Sequence, residues 1–182
     1  MLRYFSLIQK YIEPTSDLYR VYIVHVSNVT RLAIKVAKKK GLSPLQLQFI
    51  EEASMLHDIG IVNTNTPEIF CCGEKPYIAH LTEGREILLK EGLPLHARVA
   101  ANHVGVGGLT KAEIVNQNLD LPAHDIVAET IEEKIISYAD CYYSKNPRNL
   151  WRKKKYEEIV EKLTKRPSHQ ARFKKWYKEF GD

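Results

Sequence analysis

Six side chains with the donor atoms of a transition-metal site recur along this 182-residue chain: His25, His57, Asp58, His80, His103 and Asp140. Neutral imidazole nitrogen and carboxylate oxygen together suit a divalent transition ion. The densest stretch is Ser54-Met55-Leu56-His57-Asp58-Ile59-Gly60, where an imidazole and a carboxylate are adjacent. Neighbours in mid-helix point about 100° apart and rarely serve one centre, but at a helix end both can lean toward one point. Leu45, Phe49, Ala53 and Leu56 recur at helical spacing. A helix from about Pro44 is therefore predicted, with Gly60 as its left-handed stop. A second pair, His124-Asp125, carries the same dipeptide, so the dipeptide alone decides nothing.

The elements around these residues follow from periodicity. A short helix is predicted over residues 2–12, then a long one from Asp17, read as its N-cap, to Lys40 before Gly41. Leu18, Tyr22, His25, Val29, Leu32 and Val36 form its apolar stripe. A lone histidine on such a stripe is more often a core residue than a ligand. Residues 61–76 read as a loop, Tyr77–Glu91 as a helix with His80 in its first turn, and a shorter helix after Pro94 ends near His103. The glycine-rich residues 104–111 could present backbone N–H groups and Lys111 to an anion, or serve only as a turn. Thr130 and Glu133 form a capping-box signature for a helix over 131–144 that carries Asp140 on an apolar turn. A carboxylate there is costly unless paired or metal-bound. Two further helices are predicted near 148–164 and 168–180. No convincing strand alternation occurs, so the fold class is all-α.

Composition bounds the rest. A hydrophobic share of 44% and a charged share of 27% fit a soluble globular chain of one domain. No run of 18 apolar residues and no signal-peptide pattern are found, so no membrane span and a cytoplasmic location are expected. Three cysteines fit no disulfide framework and read as reduced loop residues. Residues 145–182 hold 13 Lys and Arg against 5 Asp and Glu, whereas the rest holds 14 against 17. Such a tail raises nucleic-acid binding as a reading. However, Trp151, Ile159, Leu163, Phe173, Trp176 and Phe180 mark packing faces of surface helices, which favours docking on the core.

The order His25, His57-Asp58, His80, His103, Asp140, with His57-Asp58-Ile59-Gly60 at its centre, resembles the HD-domain metal-dependent phosphohydrolase superfamily in its HDIG variant. The likeness runs over roughly residues 18–145. It implies an HD-domain helical bundle over 1–145, with 146–182 as a basic C-terminal helical extension packed on the same domain. His25, His57, Asp58 and Asp140 match the ligands of a first ion. His80 and His103 match those of a second, with Asp58 bridging. Asp58, His80 and His103 would form the catalytic set, and His96, His169 and His124-Asp125 match nothing. The implied cofactors are two divalent ions, iron or manganese foremost, with magnesium, nickel, cobalt or zinc as alternatives. A metal-bound hydroxide would attack a phosphate ester or anhydride of a nucleotide or small phosphometabolite. Lys111 and Arg85 are candidates for the phosphate oxygens. Ile61 stands where cyclic-dinucleotide phosphodiesterases of the HD-GYP group carry lysine, and no GYP-type segment is found. The small HD hydrolases that split diadenosine tetraphosphate share the six-ligand order but differ after the last aspartate. Two rival readings are a metal- and nucleotide-binding regulator without turnover and an HD-fold di-iron oxygenase. Oligomeric state is not legible.

Overall fold

The computed structural model describes residues 2–181. Its helices are α1 (Tyr4–Tyr11), α2 (Asp17–Lys39), α3 (Pro44–Leu56), α4 (His80–Lys90), α5 (Pro94–Asn102), the single-turn α6 (Val104–Gly107), α7 (Lys111–Asn116), α8 (Ile131–Asp140), α9 (Tyr156–Lys162) and α10 (Pro167–Phe180). Strand is confined to two antiparallel pairs of two residues: β1 (Asn65–Thr66) with β2 (Cys71–Cys72), and β3 (Gly108–Leu109) with β4 (Ile126–Val127). The chain is an all-helical fold, as the periodicity predicts.

Local chemistry starts the helices that carry the ligands. Ser43 and Gln46 form a capping box at α3, and Thr130 and Glu133 form one at α8. The N-cap of α2 is Ser16, whose hydroxyl accepts from the Tyr19 N–H; Asp17 is the first helical residue instead. Gly41 and Gly92 take positive φ beyond α2 and α4 and stop them as expected.

Gly60 does something else. Its φ is not positive, and it lies in a 3₁₀ turn, Ile59–Asn63, that continues from α3. A Cβ there would stand 2.1 Å from the His80 carbonyl oxygen and 2.3 Å from the Gly84 nitrogen. The glycine is required because this turn presses against α4, which brings His80 toward Asp58.

α2 runs between two apolar clusters. Val29, Leu32, Ala33 and Val36 face one, with Ile135, Tyr138, Phe173 and Phe180; Val21, Tyr22 and Val26 face the other, with Leu56, Ile59 and Leu88. His25 lies on the same helix, one residue before Val26 and close to where the two sets meet. The Tyr22 hydroxyl donates to the Met55 carbonyl at 2.8 Å and ties α2 to the end of α3.

Some expected packing is redistributed. Leu45 and Trp151 are exposed, at 80% and 74%, so neither anchors its segment. The helix predicted from 148 is shorter: residues 150–155 precede α9, and the Lys154 N–H donates to the Tyr142 carbonyl. Phe173, Trp176, Phe180 and Ile159 are buried in the first cluster, as their spacing predicts. Cys141 is not a loop residue but caps the C-terminal end of α8.

Candidate metal centre

Asp58 sits where α3 passes into the 3₁₀ turn, and its two oxygens face two different groups. Oδ2 lies 3.1 Å from His25 Nε2 and 3.1 Å from His57 Nε2. Asp140 Oδ1, at the end of α8, closes this group at 3.1 Å from His25 Nε2 and 3.7 Å from His57 Nε2. Oδ1 of Asp58 lies 3.4 Å from His103 Nε2 and 3.7 Å from His80 Nε2, and those two nitrogens are 3.3 Å apart. Within each group, one donor atom per residue lies within 4.8 Å of the others. The constraint on adjacent side chains is thus relaxed at the helix end, where His57 and Asp58 reach one point.

The imidazoles are oriented by one repeated device. Nδ1 of His57, His80 and His103 meets the carbonyl three residues earlier, at Ser54 (2.7 Å), Tyr77 (2.5 Å) and Ala100 (2.9 Å). With Nδ1–H donating to a carbonyl, Nε2 carries the lone pair and points inward, which is how a metal-binding histidine is fixed. His25 Nε2, His57 Nε2 and both Asp58 oxygens are buried without a hydrogen-bond partner among the described residues. Donors converging in this way are costly unless cations join them, and the Lys145 ammonium 2.7 Å from Asp58 Oδ2 meets only that oxygen. The donor set therefore fits divalent ions, in two groups that share Asp58.

Electrostatics separate the histidines. Burial pushes the His80 imidazole down to about 3, reinforced by His103, so it is a neutral ligand. For His57, burial pushes downward but Asp58 and Asp140 outweigh it and raise it to about 10. A metal ion held there would have to displace that proton. Burial pushes the Asp58 carboxyl up, yet Lys145 and His57 hold it well below the usual range.

Lys145 is the residue that sequence reasoning missed. Its Nζ lies 2.7 Å from Asp58 Oδ2, an ion-pair distance outside hydrogen-bond geometry, with only 12% of the side chain exposed. Burial pushes this ammonium down, but Asp58, Tyr77 and Asp140 keep it charged. The available signal was a lysine five residues beyond Asp140, on the segment that leaves α8. A cavity of 660 Å³ opens beside it, lined by Asp140, Lys145, Tyr77, Tyr143 and basic side chains of the C-terminal segment. That volume suits a small ligand.

The other candidates lie elsewhere. Arg85 is exposed and pairs with Glu86 at 2.7 Å. Lys111 is exposed on a separate cavity with Thr110, Val115 and Asp125. Neither is brought to the His/Asp cluster. The glycine-rich segment is a seat for α10 instead of an anion loop: Gly107 faces the Trp176 ring, Gly105 faces His169, and Arg172 donates to the Val106 carbonyl at 2.7 Å. His124 and Asp125 are exposed, and Asp125 Oδ1 accepts the Lys111 N–H at 2.6 Å, which caps α7. His96 pairs with Glu52 at 3.4 Å and His169 with Glu113 at 3.0 Å, as core histidines do.

Comparison with known proteins agrees with this geometry. Two relatives are named tRNA (cytidine(56)-2′-O)-methyltransferase. The one from Picrophilus torridus is 32% identical over 160 residues, 86% of this chain and 40% of its own length. The one from Thermoplasma volcanium is 30% identical over 151 residues, 79% of this chain and 40% of its own length. The chain thus spans about two fifths of these relatives. The uncharacterized protein MJ0778 of Methanocaldococcus jannaschii is 32% identical over 122 residues, 65% of this chain and 63% of that protein. Among solved structures, the HD domain of the L. monocytogenes phosphodiesterase PgpH, in complex with cyclic-di-AMP, superposes with a TM-score of 0.56. It is 19% identical and covers 96% of this chain and 87% of that one, a likeness of fold. Residues 22–145 match the HD domain family, and with the His/Asp cluster in the expected order the chain belongs to that family.

Proposed function

We propose that this chain is a metal-dependent phosphohydrolase acting on a phosphate ester or anhydride of a nucleotide or small phosphometabolite. The observation that carries the reading is the shared carboxylate: Asp58 turns one oxygen to His25, His57 and Asp140 and the other to His80 and His103. Ions held by these residues would supply Lewis acidity and a hydroxide nucleophile at neutral pH for displacement at phosphorus.

The protein's own residues do the remaining work. The i−3 carbonyls orient three imidazoles with Nε2 toward the cluster, and at His57 ion binding would also release a proton. Lys145 sits beside Asp58 on the cavity wall, where its charge can meet a phosphate oxygen. Tyr77 and Tyr143 line the same cavity and offer apolar surface to the rest of a substrate. Iron or manganese suits the mixed nitrogen and oxygen donors. Methyl transfer, the activity in the names of two longer relatives, makes no use of a carboxylate shared between two imidazole groups.

The test is phosphate release from a panel of nucleotides and phosphate esters by protein loaded with manganese or iron. Turnover by the wild type, lost in Asp58→Ala, supports the proposal. Metal binding without turnover on the whole panel would favour a regulatory protein, and oxygen consumption by the iron form would favour an oxygenase; either contradicts it.

A further inference from the structure

The basic C-terminal segment both packs on the core and reaches a cavity wall. Its buried aromatic face docks in the core, but Lys162, Lys165 and Arg166, from the end of α9 and the turn before α10, line the cavity that also holds Asp140 and Lys145. Several surface cations elsewhere have carboxylate partners. Lys10 meets Glu91, Arg20 meets Asp17, Arg98 meets Glu129 and Glu133, and Arg152 meets Glu158. No ion pair or side-chain hydrogen bond of Lys162, Lys165 or Arg166 is found among the described residues, and Asp140 is the one carboxylate on the cavity wall. Lys154, also on the wall, is already engaged by the Cys141 and Tyr143 carbonyls at 3.1 and 3.0 Å.

The backbone that carries the three charges is held in place. Ile159 is buried and Leu163 packs against the core on the same turn; the Arg166 N–H donates to the Leu163 carbonyl, and α10 follows at once, pinned by Phe173 and Trp176. Cations with no counter-charge, gathered on a concave wall, raise the local concentration of anions and favour ligands that spread negative charge along that wall. A single phosphate at the His/Asp centre, with Lys145 beside it, leaves these three without an anion.

We propose that Lys162, Lys165 and Arg166 form a second phosphate subsite, so that the ligand of this cavity is a nucleotide with at least two phosphate groups. The proposal rests on the phosphohydrolase reading for the first phosphate, while the second follows from the wall itself. A cavity of 660 Å³ is of a size that takes a small nucleotide.

The experiment is equilibrium dialysis of the full-length, manganese-loaded chain with AMP and with the non-hydrolysable α,β-methylene analogue of ADP. We expect the analogue to bind at least tenfold more tightly than AMP. In Lys162→Gln/Lys165→Gln/Arg166→Gln that preference should fall below threefold, with AMP affinity and metal content unchanged. Lys111→Gln, on a separate cavity, should keep the preference. Equal binding of the two ligands by the wild type, binding of neither, or a preference that survives the triple substitution overturns the subsite. So does a single-stranded RNA that binds the wild type more tightly than the analogue and competes with it. A preference that behaves as expected in a protein inert toward every phosphate ester would instead leave the subsite standing and remove the hydrolase reading.

Discussion

The same dipeptide occurs twice in this chain and does unrelated things. His57-Asp58 is wholly buried where α3 gives way to a 3₁₀ turn, and each residue converges on histidines from other helices. His124-Asp125 lies exposed in the link before β4, where the Asp125 carboxylate caps the backbone of α7. Residue type is identical, so the difference lies in what the fold brings alongside. A carboxylate next to a backbone N–H in water is a cap; a carboxylate among converging, buried electron-pair donors is a ligand.

The comparison can be broken first by substituting the two aspartates. Asp58→Ala should lower turnover by about 10³-fold or more, because it removes the oxygen donor common to both groups. Asp125→Ala should change the rate by less than about threefold. Steady-state kinetics checks both, and equal losses would erase the distinction. Gly60→Ala sharpens it structurally. The added methyl runs into α4 backbone, so we expect a loss of about 3 kcal/mol, or roughly 6–12 °C in Tm by calorimetry, with weakened metal binding. A variant that melts like the wild type would show that the close approach to α4 is not needed.

Smaller effects are expected around the second pair, where the chemistry is capping. Burial pushes the Glu113 carboxyl up, but hydrogen bonds from the Thr110 N–H, Thr110 Oγ1 and Ser168, with His169 nearby, bring it down to about 2. A depressed carboxylate stabilises the fold above its unfolded value of 4.5, and that stability is lost as pH falls through about 2. Glu113→Gln should therefore cost about 1–2 kcal/mol at pH 7, and its gap from the wild type should close below pH 4.5 in denaturant titrations. A gap that is independent of pH would contradict the assignment. The smallest stability effect is that of Asp125→Ala, about 0.5–1 kcal/mol for one exposed cap.

Much of this was legible in the sequence, for physical reasons. Helix starts are written in short-range chemistry, and the capping box at Thr130 lies where residue type places it. The buried stripe of α2 is likewise set by spacing, which puts His25 inside. What spacing cannot carry is contact between distant segments. Gly60 looked like a helix stop, yet its reason is the α4 backbone at His80 and Gly84. Gly105 and Gly107 resembled an anion loop, but their partners His169 and Trp176 come from the last helix. Lys145 was hidden for the same cause: a lysine after a helix end is ordinary until the fold places Asp58 beside it. Lys111 and Arg85 looked suitable by type and proximity in sequence, and the fold turns both away from the cluster.

The central claim is that Asp58 is shared by two ion sites. The most direct measurement is anomalous diffraction from crystals soaked in manganese, with data at wavelengths on either side of the metal absorption edge. Two peaks are expected, roughly 3.5–4 Å apart, one among His25, His57, Asp58 and Asp140 and the other among Asp58, His80 and His103. In His80→Ala/His103→Ala only the first should remain. A single peak in the wild type, or ions bound away from Asp58, would contradict the account.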